Sequence, residues 1–439
     1  MDEHEIALTI QNALIDLRYG DEPFDILIEP EVDGYRPDMI IKARKRCIAA
    51  LEIKMQETLT RASSSFDTSL YFTLKVRFFV YTDGERFYMY DRLGSPAKPI
   101  KTNKAGFVRR ITTRITQERL RKVKKLAADT IRDLVGQASD SFPRLRELLE
   151  VHGNQIERQL KLSYDYALYF DGGTNDTDSF EHQFFRRLLD NNVPNSIYRY
   201  YSFARAFQVI NDNTIAMQGL SGMNDTTEPN YAENYLNGPD KEEVWEMSPQ
   251  SRAAINRRFI MSCTELQDDL MQWRLYGEDG KGACLEFEVS KTLEGNQQFF
   301  LGRVKYADEH GKHPELLFLR NIIQQIRSRF CLNIRFVLFY GWRHFFKPRE
   351  YEYEKEIRLL YIHKRRDREK EWIAAEPYSI VNPMVKFDLS SRDFPLAIKG
   401  VMLGPKRPES KLNKSQLIQM TVEKRRHYSI SESTKNIYR

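Results

Sequence analysis

The sequence predicts an α/β domain over residues 1–100, a helical connector over 101–190 and an α+β domain over 191–439. Three observations carry this reading. With 439 residues the chain is too long for one ordinary core, since domains usually run to roughly 100–200 residues. The opening segment mixes an amphipathic helical pattern with short apolar runs of strand length. After Lys101 the periodicity turns helical, and strand-like runs separated by Gly-marked turns return from Ile197 onward.

In chain order, Glu3 to Leu17 reads as an amphipathic helix, and short strands and a second helix follow it. A hairpin then turns at Asp83-Gly84, between FFVYT and RFYMYD. The connector carries Arg109, Arg110, Arg114, Arg119, Arg121, Lys122, Lys124 and Lys125 in its first half. Such a run fits a solvated helix face before it fits a phosphate-contacting one. The C-terminal part holds aromatic-rich helices and strands, with no internal repeat.

Composition bounds the class. Lys and Arg total 68 against 62 Asp and Glu, a net charge of +6 that permits nucleic-acid binding without arguing for it. Cys47, Cys263, Cys284 and Cys331 are scattered without metal-ligand spacing and read as buried thiols of a reducing compartment. The sequence contains no apolar run of about 18 residues and no N-terminal signal pattern, which predicts a cytoplasmic protein without a membrane span. Homo-oligomerisation is left open.

The stretch GYRPDMIIKARKRCIAALEIK, Gly34 to Lys54, holds the chemistry. Two apolar runs, Pro37 to Ile41 and Cys47 to Ile53, flank a polar break and pair as antiparallel strands. CIAALEI reads as a central strand buried on both faces, where an isolated charge costs several kcal/mol unless paired or metal-bound. Alternation puts Glu52 and Lys54 on one side and Ile53 in the packing. With Asp38 from the neighbouring strand, Glu52 offers oxygen ligands to a hard cation, Mg2+ or Mn2+. Lys54 then orients or deprotonates the attacking water, or neutralises charge on the phosphorane.

Pro37-Asp38 followed by Glu52-Ile53-Lys54 resembles the PD-(D/E)XK nuclease motif, and VYTDGERFYMYD is similar to the N-terminal nuclease domain of type I restriction R subunits. The resemblance implies a restriction-endonuclease-like fold, a metal-dependent nuclease acting on nucleic acid, DNA first, and Glu5 of the opening helix as a further metal-site carboxylate.

In the C-terminal part, IYRYYSFARAFQVI, GLSGMNDTTEP, FIMSCTELQDDLMQWRLYGEDGKGACLEFEV, YEYEKEIRLLYI and AIKGVMLGPK together resemble the bacterial domain of unknown function 2971, over most of residues 197 to 425. Read as a strand, YEYEKEIRLLYI puts Glu352, Glu354, Glu356 and Arg358 on one face and Tyr351, Tyr353, Ile357, Leu359 and Tyr361 on the other. Arg199, then Ser262-Cys263-Thr264, then Glu354-Lys355-Glu356 also resembles the order found in NAD-dependent ADP-ribosyltransferases. That resemblance implies Arg199 on the NAD phosphates or ribose, Ser262 and Thr264 at the nicotinamide pocket, and Glu356, or Glu354 in a shifted register, beside the oxocarbenium-like centre. Cys263 departs from the pattern, standing where the central Thr belongs.

Blander readings stand beside these. Arg199 among tyrosines suits a cation–π contact as well as a phosphate, and Trp273 with Tyr276 reads as a pair of core anchors. Asn224-Asp225 before Glu228 reads as a turn and helix cap, and Gly277, Gly280 and Gly282 as a turn. Eight histidines form no metal pair or Ser/His/Asp set. Taken together, the resemblances imply a nuclease effector of bacterial antiviral defence with a C-terminal sensor. Two alternatives remain open: an NAD-consuming effector that binds nucleic acid, and a non-catalytic binding protein.

Overall fold

The computed structural model of the protein describes residues 2–19, 22–113, 116–171, 177–189, 192–220, 231–237, 257–290, 298–363, 370–375 and 380–435. The chain is a mixed α/β protein that divides into two units. The first comprises Met1–Gly172, Ser179–Phe184 and Phe318–Val337, and the second Gly173–Asp178, Phe185–Leu317 and Leu338–Arg439. No helix among the described residues is long and apolar enough to cross a membrane.

The first unit opens with α1 (Glu3–Leu14), shorter than the pattern to Leu17 suggests, and its first turn is fixed by a capping box. Asp2 accepts from the Glu5 amide at 2.7 Å, and the Asp2 amide donates to Glu5 at 3.1 Å. Then come β1 (Arg18–Tyr19), β2 (Glu22–Ile28), β3 (Met39–Ala43), β4 (Arg46–Ile53), α2 (Gln56–Ser64), α3 (Leu70–Leu74), β5 (Val76–Thr82), β6 (Arg86–Asp91) and β7 (Ser95–Asn103). The seven strands form one sheet in sequence order. Every neighbouring pair is antiparallel except β4 and β5, which run parallel because α2 and α3 supply the crossover that such a pair needs.

The middle strand β4 is buried on both faces, as its apolar run requires. Ile48, Leu51 and Ile53 pack with Ile6 and Ile10 of α1, while Ala50 packs on the other face with Leu59 of α2 and Tyr71 of α3. Gly84 turns the hairpin at φ +92°, and a Cβ there would lie 3.1 Å from Ile6, so the turn seats against α1.

Residues 101–190 do not form a separate connector. After α4 (Lys104–Thr112) come α5 (Gln117–Ala138), α6 (Arg144–His152), α7 (Gln155–Gln159), β8 (Leu160–Leu162) and β9 (Ala167–Phe170). Through Gly172 they belong to the first unit, because α5 carries a buried stripe of Ala127, Ala128, Ile131 and Val135 that needs a packing partner.

The chain continues through α8 (Phe180–Leu188), β10 (Ser196–Tyr201), α9 (Phe203–Asp212), β11 (Thr214–Gly219), α10 (Tyr231–Asn237), β12 (Arg258–Thr264), α11 (Leu270–Leu275), β13 (Ala283–Val289), β14 (Phe299–Arg303), β15 (Lys305–Tyr306) and α12 (Pro314–Phe330). Next are β16 (Asn333–Arg335), which pairs parallel with β9 in the first unit, α13 (Phe339–Trp342) and β17 (Phe346–Lys347). The last elements are β18 (Glu356–Ile362), β19 (Glu371–Ala375), β20 (Ile380–Asp388), β21 (Leu396–Leu403), α14 (Ser410–Glu423) and β22 (Ser429–Glu432).

The second unit is built on a ten-stranded sheet whose pivot is β12. One edge of β12 pairs along its length with β18, while the other is shared by β11 at its start and β10 at its end. A single core takes Ile197, Met217, Met261, Phe287, Ile357 and Val385 from six of these strands.

At one end of this sheet the glycines of the predicted turn bring two chain segments together. The Gly282 amide donates to Gly277 at 2.9 Å, and the Gly404 amide donates to Gly282 at 3.0 Å. A Cβ on Gly404 would sit 2.2 Å from the Gly280 carbonyl oxygen. Gly404→Ala is therefore expected to lower the thermal midpoint of the second unit by several degrees, roughly 1–3 kcal/mol of overpacking. Differential scanning calorimetry against the wild type reads this directly.

Candidate functional site

The register that sets Met39 opposite Leu51 carries Asp38 to the position opposite Glu52 at the end of the β3–β4 hairpin. The Ile53 amide donates to Asp38 Oδ2 at 2.6 Å, so the carboxylate completes the ladder beyond the last strand pair. Glu52 accepts from the Tyr35 hydroxyl at 2.6 Å and pairs with Lys54 Nζ at 2.8 Å. The Lys54 amide donates to the Thr82 carbonyl at 2.8 Å, which anchors the segment to β5. Asp38 before β3 and Glu52 with Lys54 at the end of β4 thus lie near one another in a half-buried patch: the Glu52 side chain is 13% exposed and that of Lys54 33%.

Burial raises the Asp38 carboxyl above its usual range, and the Glu52 charge raises it further. Lys54 is also raised, because the hydrogen bond and charge of Glu52 outweigh the burial that would lower it. The phenol of Tyr35 is driven well above its ordinary value by burial and by its bond to Glu52.

Glu5 does not join this set, since its carboxylate closes the capping box of α1. The carboxylate of α1 whose charge reaches both Asp38 and Lys54 is Glu3. Among the described residues no group of three or more His, Cys, Asp or Glu side chains forms a metal cage. Asp38 and Glu52 are a two-carboxylate oxygen set. That suits Mg2+, which keeps several waters and takes one or two carboxylates together with substrate phosphate. Sequence reasoning missed Tyr35 and Glu3. The signal for Tyr35 was a tight turn, Asp33 and Gly34 both at positive φ, that brings it back to pair with Val32.

The second unit distributes its candidates differently. Tyr198 opposes Thr264, so Thr264 and Ser262 share the face of Tyr198, whereas Arg199 lies on the other face. Arg199 sits 5.0 Å over the Tyr201 ring, the cation–π arrangement. The cleft expected from Arg199, Ser262 and Glu356 therefore does not form.

The acidic strip departs from its predicted strand as well. Residues Arg349–Glu354 form a 3₁₀ turn, Lys355 takes φ +43°, and β18 starts only at Glu356. Glu356, 3% exposed, receives Arg358 Nε and Nη2 at 2.9 Å each and Lys347 Nζ at 2.8 Å. Burial alone would raise its carboxyl, but Arg358 and Lys347 hold it down at about 2. Glu354 accepts from Tyr276 at 2.6 Å and Lys347 at 2.9 Å, and its carbonyl accepts from Thr264 at 2.8 Å. These groups lock one another in place, and both Glu356 oxygens accept from the two cations. Trp273 is fully buried and donates to Asp268 at 2.8 Å, as an anchor does.

Of the basic run, Arg119 is spent internally on Asp91 at 2.8 Å, while Arg121, Lys122 and Lys125 are exposed. Arg114, Asn224, Asp225 and Glu228 lie outside the described residues.

A family model described as a protein of unknown function, DUF2971, matches residues 272–359. This is a narrower span than the 197 to 425 expected. It contains Tyr276, Lys347, Glu354, Glu356 and Arg358 of the locked cluster and excludes Arg199, Ser262 and Thr264. No curated protein matches the chain. No solved structure matches it.

Glu356→Gln removes the carboxylate that pairs with the buried Arg358 and leaves Lys347 only Glu354, a loss of about 3–5 kcal/mol. Because the folded carboxyl titrates below its unfolded value, its contribution is complete above roughly pH 4.5 and is lost as pH falls through about 2. Urea titrations are expected to give a wild-type advantage that is constant at neutral pH and shrinks over that acid window.

Proposed function

We propose that the first unit is a metal-dependent endonuclease that hydrolyses phosphodiester bonds of nucleic acid, with DNA as its first substrate, and that the second unit acts as its sensor. The observation that carries this reading is the meeting of Asp38, Glu52 and Lys54 at the end of a buried β-hairpin, with Asp38 and Glu52 opposite each other. The parallel β4–β5 pair across α2 and α3, behind an antiparallel β2–β3–β4 meander, supports a restriction-endonuclease-like core. Bacterial antiviral defence is the setting that the combined resemblances suggest. No observation favours ADP-ribosyl transfer, since Arg199 and Glu356 do not share a cleft.

Two partly buried carboxylates facing each other beside a single lysine form a site that a hard cation would complete. Asp38 and Glu52 would hold it, and such a cation would supply Lewis-acid activation of water and of the phosphoryl oxygen. The protein's own share is positioning. The Ile53 amide fixes Asp38 through Oδ2, and the Tyr35 hydroxyl fixes Glu52 through Oε1. Lys54, an ammonium paired with Glu52, is placed to swing onto the phosphate and offset charge in the transition state.

Purified protein is expected to nick plasmid DNA in Mg2+, to stop in EDTA, and to lose activity by at least ~10³-fold in Asp38→Ala and Lys54→Ala while both variants stay folded. Cleavage that survives Asp38→Ala sinks the assignment. Added Mg2+ is further expected to raise the melting temperature of the wild type but not of Asp38→Asn. If the exposed α5 cations carry DNA, Arg121→Ala with Lys125→Ala reduces the salt slope of binding by about two, one for each phosphate contact.

A further inference from the structure

At the other end of the first sheet, away from Glu52 and Thr82, the β6–β7 turn borders a cavity of about 400 Å3. Its size falls within the ~300–1,000 Å3 range of small-molecule sites. Four cations line it: Arg92, Arg119, Lys122 and Arg329. The rest of the wall is largely apolar and includes Leu93, Val123, Leu126 and Phe330.

Arg92 is the unusual member. Only 2% of its surface is exposed. Nε donates to the Cys331 carbonyl and Nη1 to the Tyr71 carbonyl at 3.0 Å, while Nη2 is buried without a hydrogen-bond partner. The Phe72 ring at 5.1 Å and the Tyr71 and Tyr166 rings at 5.7 Å offset part of the cost of burying this guanidinium, and an anion in the cavity would offset more. Burial lowers its pKa only to about 10, so it remains a cation at neutral pH.

The nearby carboxylates are already committed. Asp91 pairs with Arg119 at 2.8 Å and Arg77 at 3.7 Å, and Asp165 pairs with Arg335. Arg119 is itself held by Asp91 and the Leu93 carbonyl, and it lies where a Cβ on Gly94 would be. Among the described residues, Arg92, Lys122 and Arg329 have no carboxylate partner in an ion pair, and a single monocarboxylate would not balance them.

We infer that this cavity is a binding site for a small organic phosphate, a mononucleotide by size. The phosphate meets Lys122 and Arg329 at the rim with the Arg92 charge in the wall behind them, and the carbon frame lies along Val123, Leu126 and Phe330. Guanidinium forks suit phosphate oxygens, and an aromatic ring beside apolar side chains suits a base. This site is separate from the proposed nuclease centre and stands or falls without it.

The test is calorimetric titration of the full chain with adenosine 5′-monophosphate, adenosine and inorganic phosphate. The monophosphate is expected to bind at least tenfold more tightly than either of the others, since only it engages both halves of the cavity. Lys122→Ala with Arg329→Ala, both exposed positions, should weaken it at least tenfold, ~1.4 kcal/mol, while Asp38→Asn leaves it unchanged. Any of three results overturns the inference: no binding of the monophosphate at millimolar concentration, equal binding by the double variant, or loss of binding in Asp38→Asn. Binding of a 5′-phosphorylated oligonucleotide without the mononucleotide would likewise reassign the cavity to a nucleic-acid end.

Discussion

The Ile53 amide donating to Asp38 at 2.6 Å is the contact on which the account of the first unit rests. It extends the β3–β4 pairing past the last strand residue, and so fixes a carboxylate opposite Glu52 where two negative charges would otherwise separate. The arrangement requires β4 to be rigid. Its neighbours on both sides and its burial on both faces supply that rigidity, and the crossover through α2 and α3 delivers β5, whose Thr82 carbonyl receives the Lys54 amide. The stiff strand end thus holds two half-buried carboxylates in fixed positions, one on the Ile53 amide and one on Lys54 and Tyr35.

The second unit uses buried charge in the opposite manner. Around Glu356 the cations and carboxylates satisfy one another within 3 Å, with Lys347 bridging Glu354 and Glu356. The match to the family of unknown function spans this cluster, with Tyr276 near its start and Arg358 near its end. That places the matched segment around a structural charge network. These residues hold β18, β17 and α11 together.

Much of the first unit was legible because strand alternation is a local property. The runs on either side of Ala43 pair as β3 and β4, Arg44 takes the positive φ of the turn, and Ile53 points into the core while Glu52 and Lys54 share the other side. The missing parts were those set by tertiary reach. Tyr35 meets Glu52 only once the turn after β2 has folded back, and the capping box claims Glu5, so Glu3 is the helix carboxylate whose charge is felt at the site. In YEYEKEIRLLYI the alternation held from Glu356 onward, but the positive φ of Lys355 ends a 3₁₀ turn that no two-residue period reveals. Residues 101–172 read as a connector because helices dominate their pattern, while the buried stripe of α5 that joins them to the first unit becomes meaningful only against a packing partner.

Crystals soaked in Mn2+ and measured at the manganese edge test the central claim most directly. An anomalous peak is expected between Asp38 and Glu52, within bonding distance of a carboxylate oxygen of each, with Lys54 released from Glu52. A fully soaked crystal with no peak between these two carboxylates, and with the Lys54–Glu52 pair still at 2.8 Å, would contradict it.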